Sequence, residues 1–378
     1  MDSTRTKPSE RHKPVLLVIG PVPPPAFGVA TATDLILRSG VLHDAFRVIH
    51  LDTSDRRSVA NMGRVDPVNV YLAARHEVEL LHILLTQRPA VAYLTLSQAP
   101  LAIVRDWLFV CTAAAFGCRS VAHLRGSGYA DVYGYGSRWL EWLMGDFFRR
   151  CARVLVLGEG LVSMARVVDR SVPVDVVPNG CPPAVAQSNA GAREKTVLFL
   201  GGLRRAKGVH DALRVAARVV AEVPSARFVF AGDWGSEEDR RQADALVRDL
   251  GLQGRVDFPG PVEGESKERL LLTSGVYLLA SHSEGHPWSV IEAMSAGMPV
   301  VATRTGAVPD TVLDAVTGYL ADVGDVEALA AGVMRILRDD DLAAQMSVRG
   351  RERYEQQFTV ERSHALLRDA LMAALKGA

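Results

Sequence analysis

Cysteine is scarce in this 378-residue chain: there are four, Cys111, Cys118, Cys151 and Cys181, and no two form a CxxC pair. That excludes a disulfide scaffold and a zinc ribbon, and it fits a reducing compartment. An excess of either charge is also missing, because 43 Lys+Arg balance 43 Asp+Glu. A general nucleic-acid binder would carry a basic surplus, so only a local basic pocket stays open. Long apolar runs are absent too. The longest, 107–117, is well short of the about 20 residues that cross a bilayer. The polar start, to about Lys13, has no apolar signal core and reads as a disordered tail. The expected place is the cytoplasm, with peripheral contact at the inner membrane face left open. The dinucleotide fingerprint GxGxxG does not occur, which disfavours a Rossmann dehydrogenase.

What is present is alternation. Short apolar runs ending in glycine or a polar residue, such as VLLVIG (15–20), alternate with helical stretches from residue 15 to about 180. Continuous apolar strands between helices predict a parallel sheet covered on both faces, an α/β fold. A polar loop is expected over 55–66. Proline, alanine, asparagine and glycine interrupt the pattern at 184–195, a linker, and the alternation restarts at Thr196. Two domains follow, 1–183 and 196–357, each a doubly wound sheet. In such sheets ligands bind beyond the carboxyl ends of the strands.

Four segments at strand ends could carry chemistry. In EGHPWSVIEAMSAGMPVVAT (284–303), Glu284 and Glu292 stand eight apart. Carboxylates there can accept hydrogen bonds from sugar and ribose hydroxyls. Ser289 and Glu292 also read as a capping box, and the backbone N–H groups of Trp288, Ser289 and Val290 are expected to point at an anion. In FLGGLRRAKG (199–208), Gly202 permits close backbone approach, Arg204 and Arg205 add charge, and Lys207 at a helix start can neutralise a phosphate. In GPVPPPAFGVA (20–30), Gly28 opens a helix. In HLRGSG (123–128), alternation puts His123 and Arg125 on one side of a strand.

The segment 284–303 closely resembles the E-x7-E motif of retaining glycosyltransferases of the GT-B fold, glycosyltransferase family 4. The resemblance implies two Rossmann-like domains, with the acceptor on the first and a nucleotide diphosphate sugar on the second. It implies Glu284 at the donor sugar, Glu292 at the ribose, and Gly285, His286 and Pro287 in the same donor loop. Lys207 matches the family lysine that holds the diphosphate. The family arginine is replaced by Gly202, with Arg204 or Arg205 as its substitute. Arg125 stands where a family histidine is expected, and His123 lies two residues earlier. The last helix, 360–378, resembles one that packs back on the first domain. No cofactor and no metal are expected beyond the nucleotide sugar as co-substrate. The acceptor is a small molecule, a glycan or a lipid-linked molecule, in polysaccharide, glycolipid or other glycoconjugate assembly. A nucleotide-sugar epimerase and a non-catalytic nucleotide-sugar-binding subunit remain as alternatives.

Overall fold

A computed structural model describes residues 13–25, 27–57, 66–135, 137–184 and 193–377. The expected disordered tail, most of the 55–66 loop and most of the 184–195 linker lie outside the described residues. The chain divides into two compact units, Met1–Asn179 with Val360–Ala378, and Gly180–Thr359.

Unit 1 runs β1 (Val15–Gly20), α1 (Gly28–Leu37), α2 (Gly40–Ala45), β2 (Arg47–Asp52), α3 (Pro67–Gln87), β3 (Val91–Thr95), α4 (Pro100–Ala115), β4 (Arg119–Leu124), α5 (Tyr129–Tyr135), α6 (Arg138–Arg150), β5 (Cys151–Val156), α7 (Val162–Val168) and β6 (Val174–Val176). Its six strands are parallel, in the order β2-β1-β3-β4-β5-β6. Leu16, Val18, Val91, Tyr93 and Val121 fill the core on one face. α3 starts at Pro67, earlier than the apolar pattern at Val70 suggests, because the Asp66 carboxylate accepts from the Asn69 N–H at 2.8 Å and Pro67 occupies the first turn. β6 ends at Val176, short of residue 180 to which the alternation runs, because Pro178 offers no N–H to a ladder.

Unit 2 runs β7 (Glu194–Leu200), α8 (Val209–Glu222), β8 (Arg227–Ala231), α9 (Glu237–Asp249), β9 (Val256–Gly260), α10 (Gly264–Thr273), β10 (Ser274–Leu279), α11 (Trp288–Ser295), β11 (Val300–Thr303), α12 (Val308–Thr311), β12 (Gly318–Ala321), α13 (Val326–Arg338) and α14 (Asp340–Gln357). Its parallel sheet is ordered β12-β11-β10-β7-β8-β9. The connection from β9 to β10 crosses over to the far side of β7, so the winding reverses between β7 and β10. The corresponding reversal in unit 1 falls between β1 and β3. Loops on either side of such a reversal diverge, which opens a crevice at the strand ends.

The last helix, α15 (Val360–Lys376), belongs to unit 1. Leu367, Ala370, Leu371 and Ala374, at helical spacing, enter the unit 1 core. The Ser363 hydroxyl donates to the Pro178 carbonyl at 2.6 Å, and Arg119 donates to the Ala374 carbonyl at 2.7 Å.

Candidate functional site

The reversal in unit 2 gathers most of the residues singled out from sequence. β7 ends at Leu200 and passes through Gly201 and Gly202 into a single 3₁₀ turn, Arg205–Lys207. Gly208 then caps α8 at φ 75°. A Cβ there would sit 1.8 Å from the Ala280 carbonyl oxygen, so only glycine lets this turn lie against the end of β10. Two further ties fix the approach. The His282 N–H donates to the Ala206 carbonyl at 3.1 Å, and the His282 Nε2 lies 2.7 Å from Asp211. The result is an ion pair: Lys207 Nζ stands 2.8 Å from Glu284 Oε2. The glutamate side chain is 8% exposed and the lysine 40%, so the pair presents a cationic head to solvent over a covered carboxylate.

The Glu284 loop is braced from the other side by the turn after β11. The Glu284 N–H donates to Thr305 Oγ1 at 3.2 Å, and the Ala307 N–H donates to the Gly285 carbonyl at 2.7 Å. Gly306, at φ 54°, would bring a Cβ within 2.1 Å of the Glu284 carbonyl oxygen. His286 turns inward. The Thr311 hydroxyl donates to the Ala307 carbonyl at 2.7 Å, so it accepts from His286 Nε2 at 2.9 Å. The His286 ring meets Phe358 edge-on at 5.5 Å between centroids. His286 and Pro287 are thus buried supports of the loop.

The capping-box expectation is overturned. Pro287, at φ −68°, precedes α11, and no side chain caps the helix. Ser289 sits inside the first turn, its Oγ 2.6 Å from the Tyr277 hydroxyl. The Glu292 carboxylate instead holds Lys267 of α10 at 2.7 Å. The Val290 N–H is also taken, by the Pro287 carbonyl at 3.2 Å, so it does not point at an anion, and the Val290 side chain is core. Trp288 is half-buried against the same cluster. Burial first, and then the nearby Glu284 and Glu292 charges, push the Tyr277 phenol above its ordinary range, opposed by its hydrogen bonds to Ser289 and Leu200.

Arg204 and Arg205 diverge. The Arg204 side chain folds back along the glycines, with its Nε 3.6 Å from where a Gly202 Cβ would stand and its Cγ 2.4 Å from that of Gly235. Arg205 is exposed and acts electrostatically on His210. The guanidinium beside Gly202 is therefore that of Arg204.

His123, Arg125 and Gly28 belong to unit 1. His123 is fully buried. Arg125 donates to the Tyr93 hydroxyl oxygen from Nη2 at 3.0 Å and from Nε at 3.3 Å, and Nη1 reaches Asn179 Oδ1 at 2.6 Å. The Tyr93 proton is then free to go to His123 Nδ1, 2.9 Å away. Burial, reinforced by the Arg125 charge, holds the His123 imidazole well below its ordinary range. His364 of α15 is pushed down to about 4 by burial, again with Arg125 adding to the shift. Gly28 opens α1, flanked by Phe27 and Val29. These two line a cavity of about 340 Å³ at the β1/β3 reversal. Gly20, Leu96, Ser97, His76 and Arg125 are also on its wall. His76 is buried, its Nδ1 has no hydrogen-bond partner, and burial pushes its pKa down to about 4.

Sequence reasoning missed Lys267, Tyr277, Tyr93 and the cavity residue His76. Lys267 lies in a polar helix with no motif. Tyr277 and Tyr93 sit inside apolar strands, where an aromatic is ordinary. Among the described residues no group of three or more His, Cys, Asp or Glu could hold a metal ion, and no helix is long and apolar enough to cross a membrane.

Residues 184–353 match the family model described as glycosyl transferases group 1. The N-acetyl-alpha-D-glucosaminyl L-malate synthase of Bacillus anthracis is 32% identical over 169 residues, covering 45% of this chain and 43% of that protein. The D-inositol 3-phosphate glycosyltransferase of Acidothermus cellulolyticus is 31% identical over 220 residues, covering 52% of this chain and 48% of that one. The chain thus spans about half the length of the relatives it matches. Among solved structures, Anabaena HepE in complex with UDP superposes with TM-score 0.71 at 16% identity, over 95% of this chain and 100% of that one. A sucrose-phosphate synthase from Thermosynechococcus elongatus gives 0.72 at 20% identity, over 95% and 100%. At such identities these likenesses bear on the fold, which is GT-B.

Proposed function

Since the segment 184–353 belongs to the glycosyl transferases group 1 family and the chain has a GT-B fold, we propose that this protein is a glycosyltransferase that takes a sugar from a nucleotide diphosphate donor and passes it to an acceptor hydroxyl with retention of configuration. The observation that carries this is the Lys207–Glu284 pair at the β7/β10 reversal. It sets a cation for a diphosphate beside a carboxylate for sugar hydroxyls. UDP bound to the structural neighbour HepE supports the donor class.

Unit 2 holds the donor in this proposal. Lys207 and Arg204 neutralise the diphosphate, which lowers the energy of the departing anion without a metal. Glu284 orients the sugar by accepting from its hydroxyls, and Glu292 accepts from the ribose. Both first give up their lysine partners, so donor binding exchanges ion pairs for charge-assisted hydrogen bonds. The bond from the anomeric carbon to the phosphate oxygen breaks, and the acceptor oxygen bonds to that carbon on the same face. The acceptor proton passes to the departing phosphate. The cavity of unit 1 takes the acceptor.

The test is a screen of nucleoside diphosphate sugars, following nucleotide release with and without candidate acceptors. Acceptor-dependent release that Glu284→Ala abolishes is the expected result. Donor isomerised without acceptor points to an epimerase. Donor bound but never turned over points to a binding subunit. Either outcome overturns the proposal.

A further inference from the structure

In a covered parallel sheet the outer side of each helix is normally polar. Three helices of unit 1 depart from this. α3 buries His76, Leu80 and Leu84. On its opposite side, at alternating steps of three and four, stand Tyr71, Ala74, Val78, Leu81 and Leu85, all exposed. Tyr71, Val78 and Leu85 are 66%, 67% and 62% exposed. This stripe carries no charge over about 21 Å of helix. α4 buries Ile103, Phe109, Val110 and Ala113, and the other side of its helical wheel carries Leu108 and Ala115, exposed, with Val104 and Cys111 half-buried. α6 buries Leu140, Leu143, Met144 and Phe147 and leaves Trp139 and Trp142 exposed.

The three outer faces adjoin. α4 packs between α3 and α6. The Thr112 hydroxyl of α4 donates to Glu77 of α3, and the Trp107 Nε1 of α4 donates to Asp146 of α6 at 2.9 Å. Trp107 and Trp142 approach to 6.1 Å between ring centroids. An apolar surface spread over three helices is more than the scatter of single exposed side chains that any protein shows.

The charges say what covers it. On these three helices every exposed charged side chain is basic: Arg75, Arg138, Arg149 and Arg150. The acids Glu77, Glu79, Glu141 and Asp146 are half-buried, and Asp146 is engaged with Arg149 and Arg150. Indole rings favour the boundary between hydrocarbon and head groups, and arginines beside them meet anionic phosphates. A bilayer also requires no matching register from its partner. We propose that the outer face of the α3–α4–α6 layer seats on an anionic lipid surface. α3 and α4 also wall the cavity, so the seat and the cavity share their framework.

The experiment is co-sedimentation of the full chain with phosphatidylcholine vesicles and with vesicles of phosphatidylcholine and phosphatidylglycerol. Sedimentation velocity without lipid runs in parallel. Binding is expected to the anionic vesicles, to weaken with salt, and to fall about tenfold or more in Trp139→Ser/Trp142→Ser and in Val78→Ser/Leu85→Ser, which remove apolar contact. Val78 and Leu85 are 67% and 62% exposed, so unfolding temperature should hold in that variant; Trp142 also meets Trp107, so the tryptophan variant is read beside it, and Arg138→Gln/Arg149→Gln gives a further variant that leaves the apolar surface whole. Failure to bind either vesicle overturns the proposal. So does a dimer that the same substitutions dissolve, with no vesicle binding. UDP titration of each variant reads the donor site separately, so failure of the lipid seat is distinguishable from failure of the transferase assignment.

Discussion

Glu284→Gln isolates the pair at the candidate site. Without ligand the carboxylate holds Lys207 at 2.8 Å. Attraction at that separation is about 1.5 kcal/mol in the dielectric of water and about 6 kcal/mol at an effective value of 20. The lysine side chain is 40% exposed, which places the pair near the lower limit. Ordering the lysine takes part of this back, leaving about 1 kcal/mol. The glutamine keeps the shape of the side chain and frees the ammonium. A nucleoside diphosphate then reaches Lys207 without displacing a carboxylate. UDP should bind about fivefold more tightly, the equivalent of 1 kcal/mol. Transfer should nonetheless fall about 100-fold or more, because the sugar loses its charged acceptor. Lys207→Met should act oppositely on binding and weaken UDP about tenfold or more. The double variant should resemble Lys207→Met alone, since the two changes act on one interaction. Isothermal titration with UDP reads all three. If Glu284→Gln binds UDP no better than the parent, or Lys207→Met binds it equally well, the pair is a brace of the fold and the donor assignment fails.

Three other outcomes follow from geometry elsewhere. Gly208→Ala forces a Cβ to 1.8 Å from the Ala280 oxygen at positive φ and should lower stability by about 2 kcal/mol or more in urea unfolding; an unchanged midpoint would mean that the turn does not need this close approach. Tyr93→Phe removes the hydroxyl shared by His123 and Arg125 and should cost about 1–3 kcal/mol, with the loss largely absent in an Arg125→Met background. His76 and His364 are held down to about 4 by burial, with nearby arginines adding. Unfolding frees both to take a proton near their ordinary pKa of about 6.5. Their stabilising contribution is therefore complete above about 6.5 and drains away as the pH falls toward 4. Urea midpoints should drop across that interval, and His364→Gln should flatten the drop; a parallel curve for that variant would refute the assignment.

The parallel architecture was legible because βα alternation is a one-dimensional signal. Short apolar runs and helical periodicity place nearly every strand and long helix. The short helices α2, α5 and α12 were not legible, since four to seven residues hold too little periodicity to separate from a turn. At the site, the glycines and charged residues beyond strand ends could be picked out. Their pairings could not. Ser289 looked like a cap until Pro287 took the helix start and Tyr277 took its hydroxyl. Glu292 meets Lys267 from 25 residues away, a relation only the fold creates. His123 alternates correctly with Arg125, yet the fold buries it completely, and alternation carries no depth. The apolar run 107–117 carries no sign of which face a neighbour covers, because periodicity does not record it. On its outer side Leu108 and Ala115 are left exposed.

The return of α15 to the first unit has a consequence for synthesis on the ribosome. Unit 2 is continuous, Gly180–Thr359, whereas unit 1 lacks a core helix until α15 has emerged. The half that is translated first is thus completed last. Until then Leu367, Leu371 and Ala374 are missing from its interior, and the nascent first half exposes the apolar ground they will occupy. Pulse proteolysis of stalled chains should find the 180–359 segment protected before residues 13–179.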